Sequence, residues 1–413
     1  MKKLLPIFIC TCFAFISAKA QKTITGFVVD AANGAALEFV PIALKHQMIG
    51  VVSNEGGKFD LIVPESAAND TILISAFGYK PFIVPVKLIE GPLSIRLQTN
   101  ITQLQEIEVR PLPPSHYVLM ALRRFKQNYP SKAFESTAYY REKITENKNF
   151  IAFNEGVFKT YCPNYTDTTR NQDQLMLYRR AENIEEMAFM KKERDRDEKR
   201  KEDGKKKKSN VEIDIADSFS GPNDILRSSR IASKSSSYLD STQLKEYEFT
   251  WDKSTYYNNE EVMVINFKSK GKVDHLREIG KLYIERNSLA IVKIENSGDM
   301  IIPVLLRPVL FMYGLGVENP SYSKDVSFQH IGEFWYPQQI QFEAHIEVTK
   351  RRMFAKNDVS VFDVDQAYVV NKLRIEKAQA IPAEKRYKAG EDLQKQIHND
   401  ENLSWDKVNG IKR

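Results

Sequence analysis

The strongest candidate for chemistry in this sequence is a pair of residues at the spacing of zinc ligands, His275 and Glu278. A zinc-dependent hydrolase needs three protein ligands and a general base in one cleft. The remaining histidines are His46, His116, His330, His345 and His398. From Ile340 to Val348 apolar residues alternate with polar ones, so we expect His345 on the polar, solvent-facing side of a strand. The pair therefore lacks a third ligand, and we interpret His275 as a loop residue.

Other residue patterns that carry chemistry are absent from the sequence. It contains no Ser/His/Asp constellation, no glycine-rich phosphate loop and no cluster of metal-ligand types. Cys162, beside Tyr161 and Pro163, is expected to be buried at a strand end rather than nucleophilic. We therefore predict a non-enzymatic protein with no catalytic residue, no cofactor and no metal site. The alternative is a zinc-dependent hydrolase that uses His275 and Glu278.

The first twenty residues have the order of a secretory signal peptide. The basic start Met1–Lys3 precedes the mainly apolar run Leu4–Ile16, and the small residues Ala18 and Ala20 mark a cleavage site after residue 20. The run is too short for a comfortable transmembrane helix. Cleavage removes two of the three cysteines, so Cys162 has no partner for an internal disulfide. We expect an exported protein with no transmembrane span after cleavage.

The positive charge of the chain is concentrated in short segments. The 413 residues carry 60 Lys and Arg against 54 Asp and Glu, for a formal charge of +6, and 42% of them are hydrophobic. This composition excludes collagen-like, wholly disordered and multi-spanning membrane proteins. The signal peptide contains three of these lysines, so its removal lowers the net charge to +3. The segment Lys191–Lys208 has 11 basic and 6 acidic residues, a net charge of +5, which leaves the rest of the mature chain with a net charge close to −2.

The basic segment predicts an insert rather than a nucleic-acid site. It has no apolar residue to bury and no interleaved aromatic residue on which a base could stack, so we predict a disordered charged insert at 191–210. A solvated loop and peripheral contact with anionic lipid headgroups both remain open for it. No nucleic-acid partner is expected.

Residues 21–110 show the pattern of a small β-sandwich. Short apolar runs recur between turn clusters such as Asp30–Gly34 and Gly56–Gly57. Thr25–Asp30, Val40–Leu44, Ser53–Phe59 and Ile74–Lys80 then occur in the order seen in the carboxypeptidase-like regulatory domain, which this region resembles. The resemblance implies a transthyretin-like sandwich of the kind common at the front of exported Bacteroidetes proteins, in the periplasm or at the outer membrane. In metallocarboxypeptidases this domain is an accessory to a separate zinc domain, so the hydrolase alternative would be of carboxypeptidase type.

Residues 115–370 predict a second, larger β-rich domain after a Pro-rich linker at 111–114. Ser115 is expected to cap a helix with Val118, Leu122, Phe125 and Tyr129 on one stripe. Long strands then follow, beginning with a hairpin of Phe134–Ile144 and Phe150–Tyr161 and ending with a strand pair between Arg352 and Leu373.

Long consecutive antiparallel strands predict a curved sheet or half-barrel with a few helices, so the fold class of the whole chain is mainly β. Tyr139–Glu142, Gly280–Glu285 and Phe334–Pro337 look like the uncharacterised half that follows the sandwich in short exported Bacteroidetes proteins. The arrangement is loosely similar to periplasmic lipoprotein-carrier half-barrels. Residues 371–413 form a polar C-terminal tail, with Glu391–His398 as a helical candidate.

The apolar segment 300–317 has two open interpretations. It either fills the core of the half-barrel or lids a cavity for an acyl chain or other apolar ligand. Together these features predict an exported binding or scaffolding protein of the envelope, whose partner is an envelope protein or an apolar ligand.

Overall fold

The computed structural model describes residues 21–100, 112–165, 171–181, 237–273, 276–301, 314–351, 356–399 and 403–411, with isolated positions between 191 and 226. The predicted signal peptide and His275 lie outside the described residues, as do most of the charged insert and of the apolar segment 300–317. The described chain folds into a small sandwich and one large sheet that contact each other.

The sandwich is built from seven short strands in two sheets. These are β1 (Lys22–Asp30), β2 (Pro41–Leu44), β3 (Gly50–Val52), β4 (Lys58–Val63), β5 (Thr71–Ile74), β6 (Phe82–Pro85) and β7 (Leu93–Leu97). One sheet has the order β4-β1-β7 and the other β3-β2-β5-β6, and only the β1–β7 pair is parallel. Val28, Phe59 and Ile95 of the first sheet share one core with Ile42 and Ile72 of the second, each 0% exposed. The predicted sandwich is confirmed.

A glycine fixes the turn before β4. Gly57 has a φ of 73°, in the left-handed region that favours glycine. A Cβ at Gly57 would lie 2.4 Å from the carbonyl oxygen of Val28, and the Val28 amide donates a 2.8 Å hydrogen bond to the Gly57 carbonyl. The Gly56–Gly57 bend seen in the sequence thus has a steric cause.

Two helices precede the large sheet, α1 (Pro114–Arg123) and α2 (Phe125–Asn128). The predicted capping role of Ser115 is wrong, because α1 begins at Pro114 and has no side-chain cap. The fixed φ of proline suits the first helical turn, where its missing N–H costs nothing. The predicted apolar stripe is confirmed: Val118 and Tyr129 are buried in the main core, and the Tyr129 hydroxyl donates a 2.5 Å hydrogen bond to the carbonyl of Ile291.

The large sheet has eleven strands among the described residues. They are β8 (Phe134–Glu146), β9 (Asn149–Cys162), β10 (Gln172–Arg180), β11 (Tyr247–Trp251), β12 (Thr255–Tyr257), β13 (Glu260–Ser269), β14 (Leu276–Glu285), β15 (Ile291–Met300), β16 (Leu315–Ile331), β17 (Phe334–Lys350) and β18 (Asp358–Arg374). The order is β10-β9-β8-β18-β17-β16-β15-β14-β13-β11, with β12 beside β13, and all pairs are antiparallel. The sheet is open, so the predicted mainly β architecture with few helices is confirmed.

One prediction within this sheet is wrong. The strand pair expected between Arg352 and Leu373 is a single strand, β18, which pairs with β17 on one side and β8 on the other. The buried positions Ser360, Phe362 and Val364 keep a period of two, and no glycine or proline interrupts the strand. A turn therefore has no residue on which to form.

The two faces of the sheet differ in what they contact. A single row of directly paired residues crosses the packed face, and each member is at most 3% exposed: Ile265, Leu282, Ile294, Val326, Ile340, Tyr368 and Tyr140. These residues belong to the core that also includes Val118 of α1. The opposite, open face carries the alternate residues.

The sandwich covers part of the open face. Phe77 stacks on Tyr257 with ring centroids 4.3 Å apart, and Val52 shares a cluster with Tyr139 and Val369. The segment 403–411, which we call the strap, lies across this junction. Its Asn409 side chain accepts a 2.7 Å hydrogen bond from the amide of Ile62 on β4, an edge strand of its sheet. Sandwich, sheet and strap therefore pack as one unit.

The residues between β18 and the strap pack along the edge strand β10. The Tyr387 amide donates a 2.7 Å hydrogen bond to the carbonyl of Asp173, and the His398 amide donates one of 2.8 Å to the carbonyl of Leu175. The helix considered at Glu391–His398 is a single 3-10 turn at Leu393–Gln396.

Candidate functional site

The part of the open face that the sandwich leaves uncovered forms a broad groove of about 1120 Å³. It lies in the half of the sheet where the β8–β9 and β13–β14 hairpins turn. Two rows of directly paired residues cross its floor. The outer row, nearer the hairpin turns, is Arg277, Asp299, Ser321, His345, Asp363, Thr145 and Phe150. The inner row is Lys268, Ile279, Ser297, Ser323, Glu343, Asp365 and Lys143.

Strand alternation explains why these residues share a face. On β14 Arg277 and Ile279 are exposed and Glu278 between them is buried. On β17 His345 is exposed and the next residue, Ile346, is buried. Successive side chains of a strand point to opposite faces, so every second residue of β14–β18 reaches the groove. Each row crosses seven strands, about 29 Å at roughly 4.8 Å per strand spacing.

A second hollow continues the groove towards β11. It has a volume of about 690 Å³ and shares Lys268, Ile279, Ser297 and Ser323 with the first. The two hollows form one depression that runs across the strands.

The outer row brings together a serine, a histidine and an aspartate. Ser321 lies directly opposite His345, which lies opposite Asp363, and His345 Nδ1 is 2.7 Å from Asp363 Oδ1. This set could not be read from the sequence, because its members come from three strands. A serine nucleophile needs its base within hydrogen-bond reach and donors for the oxyanion. Among the hydrogen bonds of the described residues, none joins Ser321 to His345. Both side chains of the His345–Asp363 pair are more than half exposed.

Charge is distributed unevenly along the groove. Basic side chains stand at both ends, Lys143 at one and Lys268 with Arg277 at the other. The stretch between these ends is acidic, with Asp299 beside Arg277 and with Glu343, Asp363 and Asp365 towards Lys143. A bound chain with mixed charges would therefore meet complementary charges along its length.

The sandwich adds acidic groups beside the groove. Burial raises the pKa of Asp365, with Glu55 adding to the effect, while the cations Arg141, at 3.5 Å, and Lys143 oppose it. Glu38 is an exposed residue of the sandwich whose pKa is raised by partial desolvation and by the charges of Glu55, Glu343 and Asp365. The junction between sandwich and groove thus holds more negative charge than its neighbouring cations neutralise.

Glu278 lies behind the groove, on the packed face. Its carboxylate accepts hydrogen bonds from the Tyr322 hydroxyl at 2.6 Å, the Tyr247 hydroxyl at 2.9 Å and Asn296 Nδ2 at 2.9 Å. Burial and the charge of Glu278 raise the pKa of Tyr322, which keeps that hydroxyl a donor. Glu278, one half of the zinc pair considered from the sequence, is thus held by two tyrosines and an asparagine.

Glu142 is a second buried carboxylate on the packed face. It is 0% exposed and accepts hydrogen bonds of 2.8 Å from Tyr140, Asn154 and Gln366. Buried carboxylates require such donors, because an unpaired one would be very costly to desolvate. We therefore assign both carboxylates to the structure of the sheet.

The other candidate residues are dispersed. Within the described part of the chain, no group of three or more His, Cys, Asp or Glu side chains is arranged to hold a metal ion. Cys162 is buried, as predicted. No helix in the described ranges has both the length and the apolar character needed to cross a bilayer.

Only one groove residue, His345, was singled out from the sequence, and its predicted exposure is confirmed at 56% of the side chain. The others could have been found from a weaker signal. In β18 the polar residues Asp363 and Asp365 alternate with the buried residues Phe362, Val364 and Gln366. That pattern predicts a polar face, but it does not say which strands lie side by side.

Comparison with known proteins identifies the first domain. Residues 24–109 match the CarboxypepD_reg-like domain family, which confirms the resemblance seen in the sequence. No curated protein matches the chain in sequence.

The solved structures that share a limited likeness with the chain include the following three. A putative outer membrane lipoprotein-sorting protein domain from Vibrio parahaemolyticus has 9% identity and a TM-score of 0.25, over 65% of this chain and 95% of that one. A DUF1329 family protein from Desulfovibrio piger has 9% identity and a TM-score of 0.23, over the same shares. Lipovitellin has 8% identity and a TM-score of 0.26, over 61% of this chain and 26% of that one. At these TM-scores the likenesses do not bear on function.

Proposed function

We propose that this chain is an exported, non-enzymatic binding protein of the cell envelope, periplasmic or associated with the outer membrane, and that its groove holds an extended segment of a partner polypeptide. The observation that carries the proposal is the pair of residue rows on the groove floor, which present serine, histidine and charged side chains along about 29 Å of open sheet. An extended polypeptide of eight or nine residues spans roughly that length.

The chemistry of the groove favours a polypeptide over an acyl chain. Sites for apolar ligands are lined mainly by apolar and aromatic side chains. Here the two rows of the floor hold seven acidic or basic side chains, and the exposed apolar residues Phe150 and Ile279 stand towards its two ends. A partner with basic residues over the acidic stretch would match this pattern. The apolar ligand considered from the sequence belongs to segment 300–317, most of which lies outside the described residues.

The sandwich contributes rigidity to this site. It packs on the open face through Phe77, Val52 and the strap, so it forms a wall beside the inner row. A preformed groove binds with less loss of conformational entropy than a groove that must be ordered by its partner.

Site-specific photo-crosslinking in cells tests the proposal. A photoreactive amino acid replaces Ser323 in the groove or, as the matched control, Ser94, an exposed serine on β7 of the sandwich. We expect one polypeptide adduct from position 323 that is not formed from position 94, and we expect the double reversal Glu343→Lys and Asp365→Lys to abolish it. Identical adducts from both positions, or an adduct that survives the charge reversal, would contradict the proposal.

A further inference from the structure

The large sheet presents one end that differs chemically from the rest of the molecule. This end holds the β8–β9 turn, the β13–β14 turn and the starts of β16 and β18. The strand pairing brings them together: Glu146 at the end of β8 pairs with Phe362 near the start of β18, Leu315 at the start of β16 pairs with Lys350, and Leu276 at the start of β14 pairs with Met300. We call this the hairpin end and define it by residues 147–150, 268–272, 277–279, 350–351 and 356–359. We propose that the hairpin end docks on the surface of a bilayer that contains anionic lipids.

Exposed apolar side chains are concentrated at this end. Among the described residues of the large domain, three large hydrophobic side chains are exposed, and all three lie at the hairpin end: Phe150 at 49%, Ile279 at 53% and Val359 at 45%. Phe150 and Ile279 also stand at opposite ends of the groove. Single exposed apolar residues are common on protein surfaces, but their concentration at one end of a sheet is not explained by packing.

Two of these apolar side chains lie beside cations. Lys143 Nζ lies 5.5 Å from the Phe150 ring centroid, and Lys268 is directly opposite Ile279. The exposed basic residues of the hairpin end are Lys148, Lys268, Lys270, Lys272, Arg277, Arg351 and Lys356. The acids nearby are fewer: Asp299 opposite Arg277, Asp358 at 2.9 Å from Arg196, the paired Glu318 and Glu347, and Asp363. The end therefore carries more basic than acidic side chains.

The Arg196 contact supplies a separate observation. Arg196 belongs to the basic run Lys191–Lys208, which has a net charge of +5. Its guanidinium lies 2.9 Å from the Asp358 carboxylate, so Arg196 itself lies at the hairpin end.

The arrangement fits a bilayer better than a nucleic acid or a second protein. Phe150 and Ile279 lie on β9 and β14, about 29 Å apart along the sheet, so they do not form the compact apolar centre of a protein interface. Nucleic-acid surfaces stack bases on aromatic platforms, and the hairpin end has one exposed aromatic residue among its described positions. Isolated apolar side chains within a field of lysines instead suit the headgroup layer, where apolar groups insert and cations meet anionic lipids.

Vesicle co-sedimentation of the chain from Gln21 onward tests the docking surface. We expect binding to vesicles of phosphatidylcholine and phosphatidylglycerol at 7:3, weaker binding as salt rises, and little binding to phosphatidylcholine alone. The triple variant Lys268→Glu, Lys270→Glu, Arg277→Glu should lose at least tenfold in partitioning, since each cation near the surface contributes about fivefold. The matched control reverses Lys45, Lys58 and Lys87, exposed lysines of the sandwich, and should change partitioning less than threefold.

Insertion of the apolar residues is tested with a fluorophore. A polarity-sensitive probe is placed on Ile279→Cys or on the control Ile83→Cys, an exposed apolar residue of the sandwich; the remaining Cys162 is buried. We expect a blue shift on vesicle binding at position 279 but not at position 83. Equal loss of partitioning in both triple variants, no binding to anionic vesicles, or binding without a shift at position 279 would each overturn the inference. Because the crosslink from Ser323 is measured separately, failure of this inference and failure of the proposed function are distinguishable.

Discussion

Truncation of one side chain in the strap tests whether this segment couples the sandwich to the large sheet. Ile411 is 4% exposed and shares a cluster with Val52 of the sandwich and with Tyr139, Ala367 and Val369 of the sheet. Ile411→Ala removes three buried carbons, and at about 0.8 kcal/mol each the loss of transfer free energy is about 2.4 kcal/mol. Large-to-small core substitutions of this kind cost about 2–5 kcal/mol, and the strap, which belongs to no strand of either sheet, can relax into the cavity. We therefore expect a loss of about 2.5 kcal/mol in the free energy of unfolding, at the lower end of that range.

Guanidinium unfolding of the chain from Gln21 onward, followed by far-UV circular dichroism and tryptophan fluorescence, measures the change. A loss of about 2.5 kcal/mol is roughly a 60-fold change in the unfolding equilibrium constant. Because the cluster joins two domains, the variant should also separate their unfolding into two transitions. The control is Ile83→Ala, an apolar residue that is 55% exposed, for which we expect less than about 0.5 kcal/mol. A change of that small size for Ile411→Ala, with coincident transitions, would refute the role of the strap as a coupling element.

Three further predictions follow from single groups. The pKa of Asp365 is raised above its ordinary value of 3.8, so its carboxyl group binds a proton more tightly in the folded state than in the unfolded state. Ionised Asp365 therefore costs stability increasingly as the pH rises above that value, and Asp365→Asn should gain stability relative to the unmodified chain between about pH 4 and pH 7. Unfolding measured across this range tests the prediction, and a stability difference that does not change with pH would contradict the raised pKa. Glu278→Gln should lower the free energy of unfolding by about 2 kcal/mol, because the hydrogen bonds that Tyr247, Tyr322 and Asn296 donate to this side chain would no longer be made to a charged carboxylate. Thermal or denaturant unfolding measures the change, and the control Glu248→Gln, at an exposed position, should have little effect. Elemental analysis of the purified chain should find far less than one zinc per molecule, and stoichiometric zinc that is lost in His275→Ala would establish the hydrolase alternative.

The sequence determined those features that depend on neighbouring residues. The sandwich follows from turn residues such as Gly57 between short apolar runs, and the β8–β9 hairpin follows from two alternating runs around residues 146–149. Both involve contacts between residues close in the chain, so local chemistry specifies them. The exposure of His345 also follows from alternation alone, since a period of two assigns a side chain to a face without reference to any partner. The failure at β18 has the same origin, because a local pattern gives the existence of strands more reliably than their number.

The tertiary structure alone decided what lies beside what. Alternation assigns His345 to the polar face of β17, but it pairs with Asp363 only because β17 and β18 are aligned as they are. A shift of β18 by one residue would move the groove side chains of that strand to the packed face. Glu278 shows the same limit: its spacing from His275 suggested zinc, whereas strand pairing places it against Tyr322 from β16. The groove and the hairpin end join strands as far apart in the chain as β8 and β18. Composition and periodicity predict whether a side chain is buried or exposed. Which side chains lie next to each other depends on the strand register, and that is a property of the whole sheet.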